Sequence, residues 1–242
     1  MSTVGIIGFG RFGELAARYL SREFTVLVST RSDKDAAITS CGAQPVSFEV
    51  ACSQQIVILC MPISAMRQTL RQAAPFLRKN ALVIDVCSVK VYPVQWMREL
   101  LPETVSILPT HPMFGPDSAA ESLQGCKIVL CPERIDSAQY DKIKNCLEGQ
   151  GLVVIRASAQ EHDEKIAVSL ALTHFIGRSL SAFGARSLDI DTEGYKRLMH
   201  ILGVVSHDTM QLFEDMHAYN PFAKQKRQDF IDAMTAIHER LG

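Results

Sequence analysis

Through the first 155 residues, short continuous apolar runs alternate with stretches whose apolar residues recur at helical spacing. The runs Thr3–Ile7, Thr25–Ser29, Ile56–Cys60, Leu82–Val86, Ser106–Pro109, Lys127–Leu130 and Val153–Ile155 read as strands. They are apolar at successive positions rather than alternate ones, as in parallel strands covered on both faces. Phe12–Ser21 and Ser64–Ala74 read as helices between them. Such an alternation predicts a doubly wound α/β unit over residues 1–156.

After Arg156 the strand pattern stops. Gln160–Ala185 reads as one long helix, with Ile166, Leu170, Phe175 and Leu180 among its apolar positions. Further helical stretches are expected over 192–219 and 222–241, punctuated by Gly194 and Asn220-Pro221. Residues 157–242 are therefore expected to form a small all-helical domain. A unit that small leaves an apolar face bare, which predicts dimerisation through it and a homodimer overall.

Composition narrows the classes. Apolar residues make up 47% and charged residues 21%, as in folded globular chains and unlike disordered ones. With 25 basic and 26 acidic side chains there is no surplus for nucleic acid, and the densest basic run, Lys224–Arg227, reads as a solvated helix face. Met1-Ser2-Thr3 lacks the basic start of a secretory leader, and no continuous apolar run approaches the ~20 residues that cross a bilayer. Neither nucleic acid nor membrane is expected as a partner. The seven cysteines are odd in number, form no C-x-x-C pair and mostly sit in apolar runs. They read as free thiols in a reducing compartment, which predicts the cytoplasm. Histidine spacing suggests no metal.

Gly8-Phe9-Gly10-Arg11-Phe12-Gly13 fits G-x-G-x-x-G directly between the first strand and first helix. In that β–α–β frame Gly8 makes the tight turn, Gly10 admits a pyrophosphate to the backbone, and Gly13 allows close helix–strand packing. The unit is thus expected to be a Rossmann domain, with these six residues holding a nicotinamide dinucleotide on the helix N-terminus. NAD sites usually carry an acid at the end of the second strand. Here the chain reads Ser29-Thr30-Arg31-Ser32. Thr30, Arg31 and Ser32 suit a 2′-phosphate, so NADP is expected, with NAD as the other candidate through Asp33.

Ligands of open parallel sheets sit beyond the carboxyl ends of the strands. Ser88, in Asp85-Val86-Cys87-Ser88-Val89-Lys90, and His111, in Pro109-Thr110-His111-Pro112-Met113-Phe114-Gly115-Pro116, stand at two such ends. A histidine between prolines on a stiff loop suits a general base, or is a structural loop histidine; Ser88 suits a catalytic hydroxyl or a helix N-cap.

These segments resemble the prephenate and arogenate dehydrogenases, enzymes of tyrosine biosynthesis. His111–Pro116 looks like a signature of that family, and the resemblance extends to Asp85–Lys90, Glu161-His162-Asp163 and Ala171-Leu172-Thr173-His174-Phe175. The glycine turn, Thr30–Asp33 and Tyr219–Ala223 look most like the arogenate branch. The resemblance implies oxidative decarboxylation of a cyclohexadienol, with His111 as base for the ring hydroxyl and Ser88 orienting it. Prephenate is the expected substrate and arogenate the alternative. His174, Arg197 and His162 are the implied substrate-binding residues, with Arg178 and Lys90 as other cations; Leu170 departs from a glutamine common in relatives. On a regular helix His162 and His174, twelve residues apart, are offset by about 120° and do not share a narrow face. No regulatory domain is expected after Gly242, so tyrosine feedback, if present, would be expected at the active site. Two other readings remain at this point: a 6-phosphogluconate-type dehydrogenase acting through Lys165, and a sensor that binds NADP without turnover.

Overall fold

The computed structural model describes residues 2–242, leaving Met1 outside, and divides between Ala159 and Gln160 into two compact units.

In the first unit eight strands form one sheet in the order β3-β2-β1-β4-β5-β6-β7-β8. The strands are β1 Thr3–Ile7, β2 Thr25–Ser29, β3 Gln44–Pro45, β4 Ile56–Leu59, β5 Leu82–Asp85, β6 Ser106–Pro112, β7 Lys127–Leu130 and β8 Val153–Arg156. The helices between them are α1 Arg11–Leu20, α2 Asp35–Ser40, α3 Phe48–Cys52, α4 Ile63–Ala73, α5 Val91–Leu100 and α6 Ser137–Gly149. The order 3-2-1-4-5-6 is that of the doubly wound dinucleotide fold, and its switch point falls between β1 and β4. Val4, Ile6, Val26, Val28 and Ile58 are buried in one core cluster, and Leu82, Leu108, Ile128 and Leu130 in another. Their successive apolar positions are what a sheet covered on both faces requires.

Two features depart from the predicted pattern. The expected strand Ser106–Pro109 continues to Pro112, so His111 lies inside β6 and not on a loop after it. There β6 pairs antiparallel with β7, His111 opposite Val129, in a sheet that is otherwise parallel. Proline lacks only its own donor, so Pro109 and Pro112 are accommodated where β6 changes partners.

The second unit begins with a continuous helix, Ala159–Phe183, in which α7 (Ala159–Ile166) and α8 (Thr173–Phe183) flank a π-helical turn, Ala167–Leu172. α9 (Glu193–Ser206), α10 (Met210–Ala218) and α11 (Ala223–Leu241) follow. The stretch expected as helical over 192–219 breaks before Thr209, which caps α10 by accepting from Leu212 N–H.

The 25-residue helix reaches the length and mean hydropathy, 1.4, of a membrane-crossing segment, which the search for continuous apolar runs missed. His162, Asp163 and His174 are nevertheless buried on it. The π turn also alters their relation. A π turn inserts about one extra residue, removing ~100° from the angular advance, so the two histidines fall within about 20° of each other.

Candidate active site

The glycine turn is built from backbone constraints. Gly8 has φ +100° and donates its N–H to Ser29 O at 2.8 Å. A Cβ on Gly8 would stand 2.4 Å from the Cys60 carbonyl oxygen, and one on Gly13 2.4 Å from that of Gly8. A Cβ on Gly10 would meet nothing within 4 Å. Two glycines therefore serve the protein's own packing, and the third leaves an open side. Gly10 is also the N-cap of α1 and offers no side chain to its N–H groups, so the positive helix end faces that opening. This arrangement fits a pyrophosphate.

The other residues of the turn do more than face a ligand. Phe9 is buried, and Lys34 Nζ donates to its carbonyl oxygen at 3.0 Å while lying 5.9 Å from its ring centre. Arg11 makes a two-pronged ion pair with Asp117, and the Phe12 ring lies 6.1 Å from that of Phe114. Both contacts tie the glycine turn to the segment that follows His111. Thr30, Arg31 and Ser32 follow β2; Arg31 and Ser32 are exposed, and Arg31 has no ion-pair partner among the described residues.

Ser88 and His111 occupy the ends of neighbouring strands β5 and β6. His111 is buried at 6% exposure. The cap position of α5 belongs to Lys90, not Ser88, and the shielded Ser88 Oγ has no hydrogen-bond partner among the described residues. That orphaned hydroxyl suits a ligand. Lys90 is fully buried, donating to Asp85 Oδ2 and, at 2.5 Å, to Thr110 O. It is not a free cation for substrate, which corrects that candidacy.

In the second unit His162 and Asp163 are both buried, with His162 Nδ1 2.7 Å from Asp163 Oδ1. His174 is buried too, its Nε2 3.6 Å from Asp208 Oδ2 and its Nδ1 without a partner. Burial lowers the His174 pKa, Asp208 opposes that shift and the Arg178 charge adds to it. Arg178 donates to Asp208 O at 2.5 Å, leaves Nε unbonded and stands 6.0 Å from the Phe213 ring. Beyond it His217 Nδ1 lies 2.9 Å from Arg227 Nη1, and burial, then Arg227, then His174 push the His217 pKa down to about 4. Arg178 and Arg227, both half-buried, bring two cations beside the buried His174 and the half-buried His217, a cluster suited to a carboxylate. His174 is part of it. Arg197 is not; it is exposed on α9 with no ion-pair partner among the described residues. Lys165 is likewise exposed, paired with Glu161 at 2.6 Å. Sequence reading passed over His217 and Asp208 and took Arg227 as part of a solvated helix face, whereas it is half-buried against His217; the signal for all three is a tertiary one.

A doubly wound sheet with an open glycine turn, and a histidine and a serine at adjoining strand ends, defines a nucleotide-binding oxidoreductase of the Rossmann class. The family profile described as "Prephenate dehydrogenase, nucleotide-binding domain" matches residues 17–156, and one described as "TYRAAT1-like, C-terminal domain" matches 179–242. Arogenate dehydrogenase 2, chloroplastic, of Arabidopsis thaliana is 33% identical over 98% of this chain and 69% of its own length. The probable arogenate/prephenate dehydrogenase of Methanocaldococcus jannaschii is 29% identical over 98% of this chain, which spans 56% of that protein. This chain spans 39% of Arabidopsis arogenate dehydrogenase 1. Among solved structures, A. aeolicus prephenate dehydrogenase with hydroxyphenyl propionate and NAD+ shares the fold at TM-score 0.77 and 20% identity, covering 100% of this chain and 89% of that one. Synechocystis arogenate dehydrogenase does so at 0.74 and 23%, covering 99% and 91%. The chain belongs to the prephenate/arogenate dehydrogenase family.

Proposed function

We propose that the protein is an NADP-dependent prephenate dehydrogenase, converting prephenate to 4-hydroxyphenylpyruvate with loss of carbon dioxide. The observation that carries this reading is the placement of buried His111 and the orphaned Ser88 hydroxyl just beyond the ladder that joins β6 and β5, on the sheet that bears the open glycine turn. His111 takes the proton of the ring hydroxyl, and Ser88 hydrogen-bonds that oxygen or the imidazole. As the C–O bond gains double-bond character, the ring carbon gives up its hydrogen with the bonding electrons. The ring carboxylate then leaves as carbon dioxide and the ring becomes aromatic. When bound, the nicotinamide supplies the two-electron acceptor. In the second unit Arg178 offers a cation, and His174, with its unbonded Nδ1, a hydrogen-bonding group, for a substrate carboxylate.

Arogenate, which carries an amine in place of prephenate's keto group, is a second reading. Asp208 beside His174 supports it, because a carboxylate there suits an ammonium. NADP is supported by Arg31, free of any ion pair after β2. Cytoplasmic placement is supported by seven free cysteines. A homodimer is supported by the second unit's exposed apolar side chains, Phe183, Ile190 and Leu241 among them.

Steady-state reduction of NADP and NAD, with prephenate and arogenate offered separately, tests the reading. Turnover should fall ~10²–10⁴-fold in His111→Asn with NADP binding kept. Arg31→Ala should raise KM for NADP far more than for NAD. Full turnover by His111→Asn would refute the assignment.

A further inference from the structure

We infer that Lys90 is a positioning residue that holds Ser88 and His111 in fixed relation. The inference rests on the roles proposed for those two groups. Lysine is almost never fully buried unless paired, and Lys90 is sealed from solvent together with Asp85. Its ammonium donates to Asp85 Oδ2 and to the carbonyl oxygen of Thr110, the residue directly before His111. The same Asp85 Oδ2 accepts the N–H of Cys87, the residue directly before Ser88, at 2.9 Å. The Thr110 hydroxyl closes the brace by donating to Asp85 O at 2.7 Å.

Each end of this cross-brace lands one residue from a group that does the proposed chemistry. β5 and β6 are already joined by their ladder, Leu82 to Ser106 through Asp85 to Pro109, so the sheet does not need the brace in order to pair. The ladder stops at Pro109, however, and Ser88 and His111 both lie beyond it. There β6 turns to β7 for its partner, which leaves the Thr110 carbonyl oxygen facing Lys90. A buried polar brace gives no stability that apolar packing of equal volume would not. What it supplies here is direction, because an ammonium with fixed acceptors sets the β5–α5 turn against the end of β6.

The test is the paired substitution Lys90→Met with Asp85→Asn, which removes both charges at similar volume. It is assayed for melting, NADP affinity, and KM and kcat with prephenate and arogenate. A cooperative melt is expected, with NADP affinity and KM within about threefold of the parent and kcat lower by about 100-fold, the size of effect that a 1 Å misplacement produces. A purely structural brace would lower the melting temperature and leave kcat per folded molecule intact, and kcat within about threefold of the parent would overturn the inference. If the paired variant does not fold, Lys90→Gln, which keeps one donor in place, carries the same expectation at a temperature where it is folded. His111→Asn runs alongside. Should it retain activity, the proposed chemistry fails and takes the brace's role with it; should it lose activity while the Lys90 variants keep theirs, the brace alone fails.

Discussion

Arg11 and Asp117, 106 residues apart, meet in a two-pronged ion pair at 2.7 and 2.8 Å. Arg11 is a variable position of the glycine turn, and Asp117 follows the His111–Pro116 segment. With the Phe12–Phe114 contact and the Tyr19 hydroxyl's bond to Ala119 O at 2.9 Å, the pair fastens the segment after His111 onto α1. Both partners are about half exposed, so the pair contributes no more than ~1 kcal/mol to stability. Its effect should appear in binding. Asp117→Asn is expected to leave the melting temperature within a few degrees and to raise KM for the dinucleotide several-fold, read from cofactor titrations at saturating substrate. A change in melting temperature with unchanged KM would assign the pair to stability alone.

The glycines separate folding from binding. Gly13→Ala drives a methyl group to 2.4 Å from the Gly8 carbonyl oxygen, backbone that cannot swing away. Overpacking of this kind costs roughly 1–3 kcal/mol, so the variant should melt several degrees lower and bind NADP poorly. Gly10→Ala meets nothing within 4 Å and should melt like the parent. Its methyl group enters the side left for the pyrophosphate, so dinucleotide affinity should still fall tenfold or more, measured by NADPH fluorescence. Equal melting temperatures for the two variants would contradict this division.

Most of the first unit was legible because its signals are local. Glycine spacing encodes close backbone approach, and unbroken apolar runs encode strands covered twice, so β1, β2 and β7 end where the pattern ends. The end of β6 was not legible: His-Pro reads as a loop, and only pairing with β7, supplied by chain sixteen or more residues on, extends the strand. The second unit hid more. Nothing in Ala167–Leu172 announces a π turn, and that turn decides whether His162 and His174 share a face. The Arg178, His217 and Arg227 cluster gathers residues from α8, α10 and α11 with no common motif. Lys90 looked like a cation available to substrate; only its burial shows otherwise.

That cluster makes the second unit sensitive to acid. His217 has its pKa pushed down to about 4, and His174 is also lowered. Below the ordinary histidine pKa near 6.5 the unfolded chain binds protons that the folded chain resists. Stability is therefore complete above ~6.5 and falls as pH drops toward the folded value of His217. Solvent screening of the half-buried His217 limits its share of the loss to about 1–2 kcal/mol. Thermal melts between pH 7.5 and 4.5 should show this decline, and His217→Phe, which cannot titrate, should flatten it. A His217→Phe profile as steep as the parent's would place the acid sensitivity elsewhere.

The apolar face of the second unit carries the last expectation. Phe183 and Ile190 are 84% and 87% exposed, and Val168, Val204, Met234 and Ile237 are all about half exposed. Water would meet an unusual number of large apolar side chains if each chain stood alone. On the homodimer proposed above, a second copy would cover them, together with the apolar side chains of the Ala159–Phe183 helix. Phe183→Glu combined with Ile237→Glu should shift sedimentation from about 54 kDa, twice the 26.8 kDa chain, toward the single chain. The charges would then be solvated in the monomer and unpaired in the dimer. If the paired variant sediments like the parent, these two positions lie outside the contact, and if the parent itself sediments as one chain, the face has another use.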